Sequence, residues 1–221
     1  MKNKLIIFDI DDTLYNEIDY VKSGYLVVSK YIEDKYNLHN IYDDMMELFN
    51  SSHKNVFNRL LDKYEIDYSI DDIMLLVNLY RNHKPSIALT NHVVGVLEEL
   101  KKYYILAIVS DGNYNTQLLK VRSLGLKKYF DEIILTDKYG KEYWKPNKLV
   151  FDMLSKKFNI SLSEMYYVGD NPNKDFYLSK YGIKTIRLYN KNGIYINDQY
   201  LENIKENYDI YDIKDILNIV K

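Results

Sequence analysis

The chain contains no cysteine. Disulfides, thiolate-bound metals and cysteine nucleophiles are therefore excluded, and the absence fits a reducing compartment. An excess of either charge is missing too: 30 basic against 32 acidic residues leave a formal charge of -2. Nothing in this balance offers a basic field for a nucleic-acid backbone, and no long like-charge run marks a tail. Long apolar runs are also lacking. The first, Leu5-Ile6-Ile7-Phe8, meets Asp9 at once, far short of a signal core or a membrane span. With 3 prolines and 8 glycines, no Pro/Gly-rich linker breaks the chain, and no internal repeat or low-complexity tract is present. The expectation is a soluble, cytoplasmic protein with neither a membrane nor a nucleic acid as partner.

What is present is material for a core. At 221 residues and 47% hydrophobic, the chain fits one substantial domain, or a core domain carrying a smaller insert. Short apolar segments end in polar clusters: Leu5–Phe8 before Asp9, Ile105–Val109 before Ser110-Asp111-Gly112, Ile133–Leu135 before Thr136-Asp137, and Tyr166–Val168 before Gly169-Asp170. Thr185–Leu188 is a fifth. Short, nearly continuous β-branched runs suit strands covered on both faces. Helical patterns lie between them. Asn91 to Tyr103 has an apolar face behind Thr90 or Asn91 as cap, and Thr116 to Leu124 ends at Gly125. A further helix is expected from Asn147, just after Pro146, to Phe158, and another from Asp175 to Tyr181 before Gly182. Alternation of this kind predicts an α/β fold, a Rossmann-like parallel sheet with helices on both faces.

One region breaks the rhythm. Between Tyr15 and Pro85 no strand pattern occurs, while Val21, Tyr25, Val28, Ile32 and Tyr36 recur at helical spacing. The sets Val56, Leu60, Leu61, Tyr64 and Ile73, Leu76, Val77, Tyr80 do the same. The expected division is a core of residues 1–14 and 86–221 and an inserted α-helical domain at 15–85, large enough for its own small core. From Ile210 to Val220 a strand turn and a closing helix are expected.

Ligands of open parallel sheets gather beyond the carboxyl ends of the strands. Asp9, Asp11, Thr13, Ser110, Asp170 and Asp175 fall there, joined by Lys145. An acidic, hydroxyl and lysine set on one edge is a site rather than a packing pattern. The four histidines, His39, His53, His83 and His92, have no metal spacing and read as solvated or packing residues. Trp144 reads as packing, Asp12 and Asn171 as loop formers, and Arg187 with Gly193-Ile194-Tyr195 as structural.

The run Phe8-Asp9-Ile10-Asp11-Asp12-Thr13-Leu14, followed by Ser110, Lys145-Pro146 and Gly169-Asp170-Asn171-Pro172 with Asp175, resembles the haloacid dehalogenase-like (HAD) superfamily. The four motifs occur in order from Leu5 to about Leu188, and the helical insert resembles that family's type-1 cap of subfamily I. The resemblance implies a Mg²⁺-dependent phosphatase of a small phosphorylated metabolite, a sugar phosphate or nucleoside monophosphate. Asp9 is then the nucleophile, carrying an aspartyl-phosphate that divides one slow reaction into two displacements. Asp11 is the implied acid and base, with a pKa raised by neighbouring acidic charge. Asp9, the backbone carbonyl of Asp11 and Asp170 are the implied metal donors, with Asp175 orienting the metal's waters. Lys145 is the third catalytic member, a fixed positive charge. Ser110 and the amides around Asp111 and Gly112 are implied to bind the phosphoryl oxygens, with Thr13 fixing the loop or touching phosphate.

Four other readings compete. One is a catalytically retired scaffold of the same superfamily acting as a binding protein, which would not be expected to keep every charged member of the set. A phospho-accepting receiver module also carries acids, a hydroxyl and a lysine on a parallel sheet, but it has no helical insert after strand one. A dehalogenase would have no alkoxide to protonate and no need of Asp11. A phosphomutase of the same superfamily shares the acid/base pair and differs only in where the phosphoryl goes.

Overall fold

The computed structural model describes residues 2–200 and 204–221. Among them the chain divides into two compact units, Met1–Ile18 with Ile87–Lys221 and, inserted between, Asp19–Ser86. The first unit opens with strand β1 (Leu5–Phe8), whose four side chains are all fully buried. Helix α1 (Glu17–Tyr36) begins in that unit and runs on into the second, followed there by α2 (Ile41–Ser51), α3 (Val56–Lys63) and α4 (Ile70–Asn82).

The second unit is wholly helical and has its own core. Val21, Tyr25, Val28 and Ile32 of α1 are buried, as are Ile41, Met45 and Phe49 of α2 and Leu60 and Leu61 of α3. The Tyr25 ring sits 5.7 to 6.0 Å from the rings of Phe49, Phe57 and Tyr80. Ser69 and Asp72 form a reciprocal capping box that starts α4. His83 packs here: its Nδ1 donates to the Tyr80 carbonyl at 2.6 Å, and Ser23 donates to its Nε2 at 3.0 Å.

The first unit resumes with α5 (Asn91–Tyr103), capped by the Thr90 hydroxyl, which accepts the Val93 N–H. Strands β2 (Ile105–Ser110), β3 (Glu132–Leu135), β4 (Met165–Gly169), β5 (Lys184–Leu188) and β6 (Tyr208–Ile210) then join β1 in one sheet. Its order is β3-β2-β1-β4-β5-β6, and every pairing is parallel. Helix α6 (Tyr114–Ser123) lies between β2 and β3, and α7 (Leu149–Phe158) between β3 and β4. The core between sheet and helices includes Leu5, Ile7, Val109, Val150, Phe151, Leu154 and Tyr167.

The differences from the sequence reading have local causes. Asn113 accepts the Thr116 N–H, so α6 starts before Thr116. Asn147 accepts the Leu149 N–H in a local turn, so α7 starts two residues late. The segment Phe176–Tyr181 is a 3₁₀ helix, closed by Gly182 at φ 84°. The tail contributes a sixth strand that ends at Ile210, where the strand turn is expected to begin, then a 3₁₀ turn and α8 (Ile216–Ile219). No described helix is long and apolar enough to cross a membrane.

The chain runs outward from β1 to β3 on one side and from β4 to β6 on the other. That reversal puts the crevice of the fold at the carboxyl ends of β1 and β4. Asp9 follows one of these strands and Asp170 the other.

Candidate active site

Asp9 continues the line of β1, its N–H bonded to the Val168 carbonyl of β4 at 2.9 Å. Its Oδ1 accepts the Ile10 N–H at 2.8 Å and its Oδ2 faces Lys145 Nζ at 2.8 Å. The loop that follows turns sharply. Asp12, at φ 50°, accepts the Glu17 and Ile194 N–H groups, both at 2.8 Å. Asp12 is therefore a buried loop former, as its position suggested, but it also ties this loop to the segment after β5. Asn190 adds to that tie by donating to the Asp12 carbonyl and to Asn16.

Lys145 is 5% exposed and makes three short contacts: Asp9 Oδ2 and Asp175 Oδ1, both at 2.8 Å, and the Tyr167 hydroxyl at 2.6 Å. Burial alone would pull its ammonium down. The charges of Asp175 and Asp9 outweigh that and hold it well above the usual lysine range. Tyr167 passes the contact on, donating to the Val109 carbonyl at 3.1 Å. Asp175 does not cap its own helix; its Oδ2 accepts the Asn171 N–H at 3.1 Å. Gly169 is needed for this placement, because a Cβ there would collide with the Asp175 carboxylate.

Asp9, Asp170 and Asp175 each offer an oxygen within 4.8 Å of the others. Asp170 Oδ2 is buried with no hydrogen-bond partner. Burial, then the charges of Asp175 and Asp9, push its pKa well above the carboxylate range. With all three carboxylates ionised, the single ammonium of Lys145 leaves two negative charges in excess, the charge that holds the Asp170 proton in place. An all-oxygen donor set with that excess and one unclaimed oxygen fits a hard divalent cation.

Asp11 departs from expectation. Its Oδ1 accepts from the Tyr15 hydroxyl at 2.5 Å and from Lys120 Nζ at 2.7 Å, and its Oδ2 from Gln117 Nε2 at 2.9 Å. Burial raises its pKa, but the charge and hydrogen bond of Lys120, with those from Tyr15 and Gln117, outweigh burial. The carboxyl is lowered, not raised as the acidic neighbours had suggested. The neighbour that decides the sign is a lysine far away in sequence. Glu17, 3.9 Å from the same ammonium, is instead pushed up to about 8 by burial and by Asp11.

Of the expected phosphate ligands, Ser110 is buried at the end of β2, where its Oγ accepts from Gln117 at 2.9 Å and keeps its own proton to donate. Gly112 is at φ 119°, a conformation suited to glycine. The Asp111 side chain is spoken for differently, accepting from Thr136 Oγ1 at 2.7 Å and from the Lys145 N–H at 3.1 Å. It thereby fixes the backbone from which Lys145 projects. Thr13 Oγ1 is buried without a partner. Arg187 packs among aromatic rings and donates to the Tyr200 hydroxyl at 2.7 Å.

Residues 6–188 match the family model described as haloacid dehalogenase-like hydrolase. The chain belongs to that family. The hydrolase is 31% identical to a glyceraldehyde 3-phosphate phosphatase from Pyrococcus abyssi, over 83% of this chain and 80% of the relative. A glyceraldehyde 3-phosphate phosphatase from Methanocaldococcus jannaschii is 28% identical over 99% and 97% of the two chains. In fold, the hydrolase resembles a putative family member from Bacillus subtilis solved with magnesium, at a TM-score of 0.69 and 18% identity over 100% of both chains.

Proposed function

We propose that this hydrolase is a Mg²⁺-dependent phosphatase that removes phosphate from a small phosphorylated metabolite through an aspartyl-phosphate on Asp9. The observation that carries the reading is the pairing of Lys145 with Asp9 and Asp175 beside the unclaimed Asp170 oxygen. A nucleophilic carboxylate meeting a phosphate dianion needs positive charge on both sides of it. The triose phosphate handled by the archaeal relatives is a substrate of the right class.

In the first displacement an Asp9 oxygen attacks phosphorus and the bond to the leaving oxygen breaks. Lys145 balances charge on Asp9, while the Ser110 hydroxyl and the Asp111 and Gly112 amides hold the phosphoryl oxygens. Asp11 supplies the proton to the leaving alkoxide. Lys120 opposes protonation of Asp11 in the free protein, whereas an arriving phosphate is a like charge and favours it. In the second displacement Asp11 takes a proton from water, which attacks phosphorus and frees Asp9 and inorganic phosphate. A Mg²⁺ held by Asp9, Asp170 and the Asp11 carbonyl, with Asp175 behind it, would offset repulsion between nucleophile and phosphate. The helical unit Asp19–Ser86 acts as a cap that admits substrate and excludes bulk water.

The test is a phosphatase screen over phosphorylated metabolites, glyceraldehyde 3-phosphate included, with Mg²⁺, with EDTA and with Asp9→Asn. Phosphate release that needs Mg²⁺ and Asp9 is expected. Turnover that survives Asp9→Asn defeats the mechanism, and isomerisation without release of phosphate identifies a mutase. Deleting the helical unit without altering turnover or selectivity would remove its role as a cap.

A further inference from the structure

Lysines are among the residues least often buried, and one that is buried must be paired. Among the described residues the first unit holds two. Lys145 is spent on Asp9 and Asp175. Lys120, on α6, has a side chain only 4% exposed and points its ammonium at Asp11 Oδ1. Gln117 lies one turn earlier on the same helix face and reaches the other oxygen of the same carboxyl.

We propose that Lys120 and Gln117 are positioning residues for the reaction, a clamp on α6 that fixes the Asp11 carboxyl for proton transfer. The inference rests on the role given to Asp11 above. A carboxylate offers about four acceptor sites. Tyr15 and Lys120 both bond Oδ1, and Gln117 takes one site on Oδ2. What remains is a single position on Oδ2, so the clamp selects both the oxygen and the direction in which a proton travels. The Gln117 amide also donates toward Ser110 Oγ at 2.9 Å and the Asp111 carbonyl at 2.8 Å. The acid and the hydroxyl placed to hold the phosphoryl group are thereby spaced by one side chain. With three acceptors around Nε2, the orientation of that amide is settled by its surroundings. Fixing a proton donor and a phosphoryl ligand on one rigid helix is the preorganisation that catalysis by positioning requires.

The experiment is a double-mutant cycle with an alkyl phosphate, glyceraldehyde 3-phosphate, whose alkoxide leaving group needs a proton, in the presence of Mg²⁺, using folded proteins checked by circular dichroism. Lys120→Met is expected to lower kcat about tenfold or more while KM stays within about twofold, because Lys120 acts on Asp11 and not on substrate. Lys120→Arg is expected to restore most of the loss. In an Asp11→Asn background, Lys120→Met is expected to cause no further fall. An equal fall in both backgrounds, a rise confined to KM, or an unchanged kcat overturns the proposal. If Lys120→Met does not fold, Lys120→Gln and Gln117→Leu are put through the same cycle and judged by the same outcomes. A wild-type protein without phosphatase activity, or an active Asp9→Asn, defeats the phosphatase reading itself rather than the role of Lys120.

Discussion

In metal-free protein, Asp170→Asn is expected to raise stability while abolishing activity. Asp170 faces Asp9 and Asp175 with oxygens within 4.8 Å and has one buried oxygen that no donor reaches. Ionised, Asp170 would meet each of these like charges at a cost of about 3 kcal/mol at an effective dielectric of about 20. Its raised pKa means that it takes up a proton in the fold instead, at a cost of the same sign. Lys145 touches the other two carboxylates and cancels much of this. A net relief of about 1–3 kcal/mol remains, the size of one unsatisfied buried polar group. For a chain of this size, that corresponds to about 2–10 °C in melting temperature. Thermal melts with EDTA and with saturating Mg²⁺ test this directly. Wild type is expected to gain stability from Mg²⁺, and the variant to start higher and gain little. A variant that melts lower than wild type in EDTA would refute the idea that this cluster is a strained cation site.

Lys145→Met removes the ammonium shared by Asp9, Asp175 and Tyr167; a loss of about 3–5 kcal/mol in urea unfolding is expected, as for other broken buried pairs. Thr13→Val replaces a buried hydroxyl that has no partner in the protein, so stability should change by less than about 1 kcal/mol. A rise in KM in that variant would show that the hydroxyl serves phosphate. Glu17, pushed up to about 8 from the usual 4.5 by burial and by Asp11, is neutral in the fold while its unfolded form ionises. Its burden on stability is absent below pH 4.5, grows as pH rises and is complete near 8. Urea midpoints at pH 5 and pH 8 should therefore differ less in Glu17→Gln than in wild type. Asp12, Asp170 and Asp175 are also raised, so part of the decline should remain.

Much of this site was legible because parallel strands advertise themselves. Leu5–Phe8 and Met165–Gly169 are apolar without alternation, so the acids that follow them stand out at strand ends. Lys145 could be read from its motif, but its Tyr167 partner could not, since a tyrosine inside an apolar strand looks like core. Gln117 and Lys120 were hidden for the opposite reason. Polar residues on a helix ordinarily face solvent, and only the approach of α6 to the β1 loop buries these two. That approach also inverted the expected sign at Asp11. The starts of α2 and α3 gave little signal because Asn40 and Asn55 enter through left-handed backbone with no side-chain cap. The short strand Tyr208–Ile210, with two of its three residues exposed, lacked the apolar run that marked the others.

The central place of β1 in the sheet has a consequence for biosynthesis. Its neighbours are Ile105–Ile108 on one side and Met165–Val168 on the other. The strand that leads into Asp9 leaves the ribosome before the other strands of the sheet, yet its second partner, Met165–Val168, follows about 160 residues later. Helices contact residues close in sequence, whereas parallel strands wait for distant ones. The Asp19–Ser86 unit is continuous in sequence and is complete long before the sheet can close. Translation thus delivers the helical unit while the apolar β1 segment is still unpaired, and the Asp9, Asp170 and Asp175 carboxylates can meet only after β4 has emerged.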